Sequence, residues 1–202
     1  MKTRNYRQNC SVARAADLLG ERWTFLIIRD LLVAPRRFSE LEKRMKGIGA
    51  NLLARRLKDM AAAGLIDNDC TREPYRLTEM GRALEPMVLQ MIRWSLRWVR
   101  TPAEPDGLHF ADWDLLALKA LFAPTADFGP PILARFAYSD WKAWVRIDGG
   151  DYSFSIGEPD APNDIDFPCL IPALQQSTAI LDQLPVSQLS AARRFLAAFP
   201  LH

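Results

Sequence analysis

The sequence predicts an α+β protein of two domains, a winged helix-turn-helix domain followed by a small antiparallel-sheet domain. Three observations carry this prediction. Apolar side chains recur at helical spacing through most of the first hundred residues. Three runs after residue 132 have the composition of strands and are separated by turn residues. Between these parts, residues 101–107 contain two prolines and a glycine, so the domains are predicted as residues 1–101 and 102–202.

Two helices are predicted at the start of the chain, each with one apolar face. The positions that define these faces are Val12, Ala15, Ala16 and Leu19 in the first helix, and Trp23, Ile27 and Leu31 in the second. Both faces are expected to close a core behind the segment that follows.

A helix-turn-helix is predicted next. Ser39 and Glu42 have the S-x-x-E spacing of a capping box, which predicts a helix that starts at Ser39. The glycine-containing segment 46–49 breaks this helix. A second helix follows, in which apolar residues at positions 53, 57 and 60 turn polar residues toward solvent, and Gly64 ends it.

A β-hairpin and another capped helix complete this domain. Strands are predicted at residues 65–66 and 75–77, with a turn at residues 72–74, and Thr78 is predicted to cap the next helix. A helix-turn-helix followed by a hairpin is a winged helix.

The second helix of such a motif is typically placed in the major groove of DNA. Arg55 and Asn51 are the candidates for base edges, because Arg can pair with guanine and Asn with adenine through two hydrogen bonds. The remaining candidate DNA contacts, mainly to phosphates, are Arg37, Ser39, Arg56, Lys58 and Arg76. The alternative is a solvated amphipathic helix with no partner.

Several blocks of this domain, over residues 8–100, resemble the HxlR-type winged-helix regulators of bacteria. The blocks are Cys10-Ser11-Val12, Gly20-Glu21-Arg22-Trp23-Thr24, Arg37-Phe38-Ser39-Glu40-Leu41, Arg56-Leu57, Gly64-Leu65 and Leu77-Thr78-Glu79-Met80-Gly81. The resemblance implies a homodimeric transcription factor, here expected to be a repressor, that binds a partly palindromic operator in double-stranded DNA. The sequence departs from the usual pattern of this family in two places. Its wing is short and contains Asp67 and Asp69, and the second helix of its motif has Ala50 and Ala54 in place of longer polar residues.

Charge separates the two halves. Residues 1–101 contain 20 Lys or Arg against 11 Asp or Glu, a net charge of +9, whereas residues 102–202 contain 6 against 13, a net charge of −7. The basic half is therefore the predicted nucleic-acid half.

One long helix is predicted from Glu79 to Arg100, with two apolar stripes. The first contains Leu84, Met87, Met91, Trp94 and Trp98, and the second Leu89, Ile92, Leu96 and Val99. One stripe can pack on its own domain, while the other needs a partner, either a second subunit or the acidic domain. The resemblance favours a second subunit.

The acidic half is predicted to begin with a helix at residues 114–122, followed by an antiparallel meander of three strands at residues 133–138, 141–147 and 152–156. A short strand at 165–167 and helices near 170–175 and 191–199 follow. This order resembles a small sterol-carrier-protein-like domain, which implies an apolar effector. The candidate ligand-binding residues are Phe136, Trp141, Trp144 and Phe154, although ordinary burial in a core also accounts for them.

The three cysteines, Cys10, Cys70 and Cys169, have no metal-binding spacing, and neither a metal nor a cofactor is predicted. Cys10 is a candidate redox sensor, because it lies at a helix start near Arg7 and Arg14; packing of the first helix is the alternative. The sequence contains no recognisable pair of a nucleophile and a base, so an enzyme is not predicted. No membrane association is expected and a cytoplasmic location is predicted, because the sequence has neither a signal peptide nor an apolar run that could span a bilayer.

The sequence thus predicts a DNA-binding transcriptional regulator that responds to a small apolar ligand or to thiol oxidation. The alternative is a lipid or small-molecule carrier, or an interaction module, that does not bind DNA selectively. Sequence-selective DNA binding distinguishes the two.

Overall fold

The structure is a computed structural model that describes residues 5–67, 73–99, 107–123, 128–137, 141–168 and 180–199. Its contacts divide the chain into two compact units, the first ending at Val88 and the second beginning at Leu89. The predicted domain boundary between residues 101 and 102 lies outside the described residues and stays a prediction. None of the helices in the described ranges is long and apolar enough to cross a bilayer.

The first unit is a winged helix-turn-helix, as predicted. Its elements are α1 (Ser11–Leu19), α2 (Thr24–Val33), α3 (Phe38–Arg44), α4 (Ala50–Ala62), β1 (Ile66–Asp67), β2 (Arg76–Leu77) and α5 (Glu79–Arg82). Side chains from α2, α3 and α4 form the core, with Ile27, Leu41 and Leu53 fully buried. Helix α2 therefore closes the core of the helix-turn-helix, whereas Val12 on α1 is 76% exposed, contrary to the predicted apolar face.

The start of α3 differs from the predicted capping box at Ser39 and Glu42. The backbone N–H of Arg37 donates to Oε2 of Glu40 at 2.6 Å, so Glu40 caps the helix and Ser39 lies inside its first turn. The reason is a backbone bridge in the segment before α3. Arg36 of this segment exchanges two backbone hydrogen bonds, of 3.1 and 2.8 Å, with Tyr75. This bridge holds the chain extended up to Arg37, and the helix begins directly after it.

The wing is an antiparallel pair of short strands, in which Ile66 lies opposite Leu77 and Asp67 opposite Arg76. Residues 68–72, which include Asp69, Cys70 and part of the predicted turn, lie outside the described residues. The predicted cap at Thr78 is confirmed, because its Oγ1 accepts the backbone N–H of Gly81 at 3.1 Å. The same hydroxyl donates to the carbonyl of Gly64 at 2.6 Å, which ties the start of α5 to the end of α4.

The prediction of a single helix from Glu79 to Arg100 is wrong. Helix α5 ends at Arg82, and a separate helix, α6, spans Glu85–Trp98. Pro86 explains the break, since its ring would clash with the carbonyl of Arg82 and it has no N–H to donate to that carbonyl. A proline is tolerated in the first turn of a helix, and that is where α6 places it.

Among its described residues, the second unit contains a four-stranded sheet that packs with helices α7 (Asp114–Leu121) and α8 (Leu189–Ala197). Its remaining elements are a 3₁₀ turn (Ala111–Trp113), β3 (Ile132–Ala137), β4 (Lys142–Asp148), β5 (Asp151–Ile156), β6 (Ile165–Phe167) and a second 3₁₀ turn (Val186–Gln188). Residue 138, the last of the first predicted strand, and the predicted helix near residues 170–175 lie outside the described residues.

The meander is confirmed, but the sheet is mixed rather than antiparallel. Its strand order is β5-β4-β3-β6, with β3, β4 and β5 antiparallel and β6 parallel to β3. After β5 the chain returns to the far edge, where Asp164 fixes the register of β6. Its backbone N–H donates to the carbonyl of Leu133 at 2.8 Å, and its carboxylate accepts the backbone N–H of Leu133, also at 2.8 Å.

One face of this sheet carries the core of the second unit. Phe136 and Phe167 stack with ring centroids 5.4 Å apart, and Phe195 of α8 lies 5.3 Å from Phe167. Toward the opposite edge of the same face, the buried hydroxyl of Tyr152 donates to the carbonyl of Leu115 in α7 at 3.1 Å. Helices α7 and α8 therefore cover the same face of the sheet.

Candidate nucleic-acid interface

Helix α4 presents a polar face to solvent, as its periodicity predicts. Leu53, Leu57 and Met60 are buried, whereas Asn51 and Arg55 are exposed four residues apart on one side of the helix. Lys58 is also exposed, three residues beyond Arg55. Side chains at this spacing lie above one another, so all three can reach one extended partner.

Both ends of α4 are set by glycines. Gly49 is the residue before its first turn, where the N–H groups of a helix carry partial positive charge that favours phosphate. At the other end Gly64 adopts φ +77, and its N–H donates to the carbonyl of Ala61 at 2.9 Å. The N–H of Leu65 donates to the carbonyl of Met60 at 3.0 Å. These two bonds form a Schellman cap, and they direct the chain from α4 into the wing.

Three further predicted contacts are exposed. Arg37 lies at the start of α3, Ser39 follows in its first turn, and Arg76 lies on β2. Arg76 is opposite Asp67 in the wing, so its positive charge is partly offset there. Their predicted roles as DNA contacts stay predictions.

Arg56 differs from these residues, although the sequence placed it among the DNA contacts. Its side chain is 12% exposed, and its Nη2 lies 2.9 Å from Oε2 of Glu21. Asp59, three residues along α4, lies 3.8 Å from its Nη1. The guanidinium is therefore engaged within the protein, because position 56 flanks the buried stripe of the helix rather than its exposed face.

A buried ion-pair network that the sequence analysis missed holds α3 against α2. Asp30 of α2 is fully buried, and its carboxylate accepts a hydrogen bond from Nε of Arg44 in α3. Nη2 of Arg29 donates to the other carboxylate oxygen at 2.7 Å. The available signal was an aspartate within the mostly apolar helix of residues 24–33, since a buried carboxylate needs a partner.

Cys10 is exposed and immediately precedes α1. The backbone N–H of Ala13, and then that of Val12, lower the pKa of its thiol below the ordinary value. A thiolate is the reactive form of cysteine, so this position favours oxidation. Cys70 and Cys169 lie outside the described residues.

The four candidate ligand residues of the second unit do not share one surface. Phe136 and Phe154 project from the face that α7 and α8 cover, because they pair with alternate residues of β4, whose side chains lie on one face of the sheet. Trp144 has the opposite phase on β4 and projects from the other face. Trp141 is half-buried just before β4. Among the described residues, no group of three or more His, Cys, Asp or Glu side chains could hold a metal ion.

Helix α6 exposes large apolar side chains from both predicted stripes. Trp94 is 62% exposed, and Trp98 and Leu96 are similarly exposed. Met87 and Met91 are about half exposed on the same helix. Clusters of large exposed apolar side chains are typical of protein interfaces.

Comparison with known proteins gives a consistent set of relatives. A profile of the HxlR-like helix-turn-helix family matches residues 18–102. The chain is 38% identical over 100 residues to the HTH-type transcriptional regulator Rv3095 of Mycobacterium tuberculosis, a match that covers 47% of this chain and 63% of that protein. It is 33% identical over 91 residues to the HTH-type transcriptional regulator YvaP of Bacillus subtilis, which covers 43% of this chain and 84% of that protein.

A solved structure, that of quinone-bound YodB from Bacillus subtilis, is similar at 34% identity with a TM-score of 0.39. The match covers 42% of this chain and 93% of that one. The match to this chain covers less than two thirds of the length of the mycobacterial protein. Both named sequence relatives are HTH-type transcriptional regulators.

Proposed function

Because this chain belongs to the HxlR-like helix-turn-helix family, we propose that it is a transcriptional regulator that binds double-stranded DNA through α4. The observation that carries the proposal is the division of α4 into a buried apolar stripe and an exposed face with Asn51, Arg55 and Lys58. A helix held in this way can enter the major groove with its polar face toward the bases.

The contacts divide by chemistry. Asn51 and Arg55 read base edges, because their side chains can form paired hydrogen bonds with adenine and guanine. Lys58, Arg37 and Arg76 bind phosphates, and Ser39 donates a hydrogen bond to the backbone of the DNA. Arg56, which is paired with Glu21, is left out of this set.

The regulator acts as a homodimeric repressor on a partly palindromic operator. The apolar surface of α6, with Trp94 and Trp98 exposed in the single chain, supports a second copy as the partner. A twofold dimer presents two recognition helices to two half-sites, so operator symmetry follows from protein symmetry.

The second unit binds a small apolar effector. The support for this role is the aromatic composition of the sheet face that α7 and α8 cover, to which Phe136 and the half-buried Phe154 belong. Thermal-shift screening of hydrophobic compounds, followed by operator titration with each hit, tests this role. A compound that stabilises the protein without changing its DNA affinity would count against an effector domain, because regulation requires different affinities for the two states.

Thiol oxidation is a second candidate signal, and the exposed Cys10 with its lowered thiol pKa favours it. In an operator-release assay, diamide should release the wild-type protein from DNA but leave a Cys10→Ser variant bound. An equal response of both proteins would exclude this sensing role.

The test of the main proposal is to identify the operator. Chromatin pull-down of the tagged protein followed by sequencing supplies candidate sites, and fluorescence anisotropy then compares each site with its scrambled version. Selective binding that weakens steeply with salt is expected, because Lys and Arg displace counterions from DNA. Equal affinity for both DNAs would favour the carrier or interaction module instead.

A further inference from the structure

The turn between α1 and α2 lies beside the helix-turn-helix. Glu21 and Trp23 belong to this turn, and the carbonyl of Glu21 accepts the N–H of Thr24 at 3.0 Å as α2 begins. A Cβ added to Gly47, in the turn between α3 and α4, would lie 4.0 Å from Cη2 of Trp23. The two turns are therefore neighbours in the folded unit.

A side-chain pair connects the first of these turns to α4. Nη2 of Arg56 lies 2.9 Å from Oε2 of Glu21, with the arginine 12% and the glutamate 53% exposed. The planar guanidinium of Arg has fixed donor directions, so a short pair with a carboxylate constrains geometry as well as charge. The buried stripe of Leu53, Leu57 and Met60 sets the orientation of α4, and this contact adds a second point that opposes rotation of the helix about its own axis.

Rotation of α4 matters more for base contacts than for phosphate contacts. Arg55 and Arg56 are consecutive, and consecutive residues of a helix project about 100° apart. A helix held by Arg56 therefore also holds Arg55 at a set angle to the groove. Hydrogen bonds to base edges require placement within about 0.5 Å and 10–20°, whereas a long cationic side chain can follow a phosphate through larger shifts.

We propose that the Glu21–Arg56 pair increases sequence specificity by restricting the rotation of α4 further than its buried stripe does, with neither residue in contact with a base. Glu21 and Arg56 are thus positioning residues for Asn51 and Arg55. This inference rests on the proposed DNA-binding role of α4, and it replaces the phosphate contact predicted for Arg56 with an internal role.

The experiment compares Glu21→Gln, Arg56→Gln and the double variant with wild-type protein, by anisotropy on operator and scrambled DNA over a salt series. Each single variant should lower the ratio of operator to scrambled affinity about tenfold, within the range of coupling between contacting side chains. The double variant should lose no more than either single variant. The salt dependence should stay at the wild-type slope, since no phosphate contact is removed.

Two controls distinguish positioning from charge and folding effects. Glu42→Gln makes the same substitution at an exposed residue of α3, and it should retain the wild-type ratio. Glu21→Asp keeps the carboxylate and should retain most of the ratio. Circular dichroism melts establish that each variant is folded at the assay temperature, and Arg56→Lys replaces Arg56→Gln if the latter is unfolded.

Two outcomes would overturn the inference while leaving the proposed function intact. Glu21→Gln could bind both DNAs more tightly, as loss of a negative charge from a DNA-binding surface predicts. Arg56→Gln could lower the salt slope by about one, which is the signature of a lost phosphate contact. A wild-type protein that fails to distinguish operator from scrambled DNA would overturn the proposed function itself.

Discussion

At the scale of single residues, Arg55 is the side chain on which base readout depends most. It is exposed on α4, and an arginine there can donate two hydrogen bonds to one guanine. Arg55→Ala should therefore cost about 1–3 kcal/mol in binding to the operator and much less on scrambled DNA. Anisotropy titrations of both DNAs at one salt concentration measure the difference.

The matched control is Arg82→Ala, which removes the same charge from an exposed position on α5. This variant should weaken binding to the two DNAs by similar, small amounts. Equal losses on both DNAs for Arg55→Ala would assign Arg55 to the phosphates instead.

Asp30 is the residue on which the internal stability of the helix-turn-helix depends most. Its fully buried carboxylate pairs with Arg44 and Arg29, so Asp30→Ala leaves a buried guanidinium without its partner. Removal of one member of a buried pair is expected to lower the free energy of unfolding by about 3–5 kcal/mol. Urea denaturation measures this change, with Glu42→Gln as an exposed control expected to stay within about 0.5 kcal/mol. A loss below 1 kcal/mol would mean that water replaces the carboxylate.

At the scale of elements, the close approach of α5 to the wing decides the effect of substitution at Gly81. A Cβ at this position would lie 2.1 Å from the carbonyl oxygen of Leu65 and 2.9 Å from Cδ2 of Leu77. Glycine to alanine usually stabilises a helix by about 0.5–1 kcal/mol. Here the clash should reverse the sign, and Gly81→Ala should destabilise the protein by about 1–3 kcal/mol.

Thermal denaturation checks this prediction against Gly49→Ala. No atom lies within 4 Å of a Cβ added at Gly49, so the control lacks the steric penalty. If Gly81→Ala is as stable as wild type, α5 can move away from β1 without cost. The packing of α5 would then be less tight than its contacts indicate.

At the scale of the whole molecule, self-association is the property that the exposed apolar side chains of α6 predict. The protein should be a dimer in solution at concentrations that give operator occupancy. Trp94→Glu with Leu96→Glu should shift it to a monomer, because both side chains are large, apolar and exposed in the single chain, and a charge is costly to bury in an interface. Sedimentation velocity measures the oligomeric state.

Val186→Glu is the matched control, since Val186 is an exposed apolar residue of the second unit. It should leave the dimer intact. A wild-type protein that sediments as a monomer well above operator-binding concentrations would exclude this architecture.

Local sequence patterns alone predicted much of the first unit. The exposed and buried faces of α4, the glycine end of that helix, the wing and the Thr78 cap are local features, because each depends on residues within a few positions. The hairpin of β4 and β5 was predictable for the same reason, because only a short turn separates its two strands. What these patterns share is a short reach along the chain.

Tertiary structure decided the features that join distant residues. The bridge between Arg36 and Tyr75 moved the start of α3, and the pairing of β6 with β3 made the sheet mixed. Arg56, which the sequence predicted as a DNA contact, is paired with Glu21 in the folded unit. A periodic pattern identifies which side of a helix is polar. It does not identify the partner of a charged side chain at the edge of the polar side, because that partner comes from whichever segment packs against the helix. That information exists only when residues far apart in sequence are brought together.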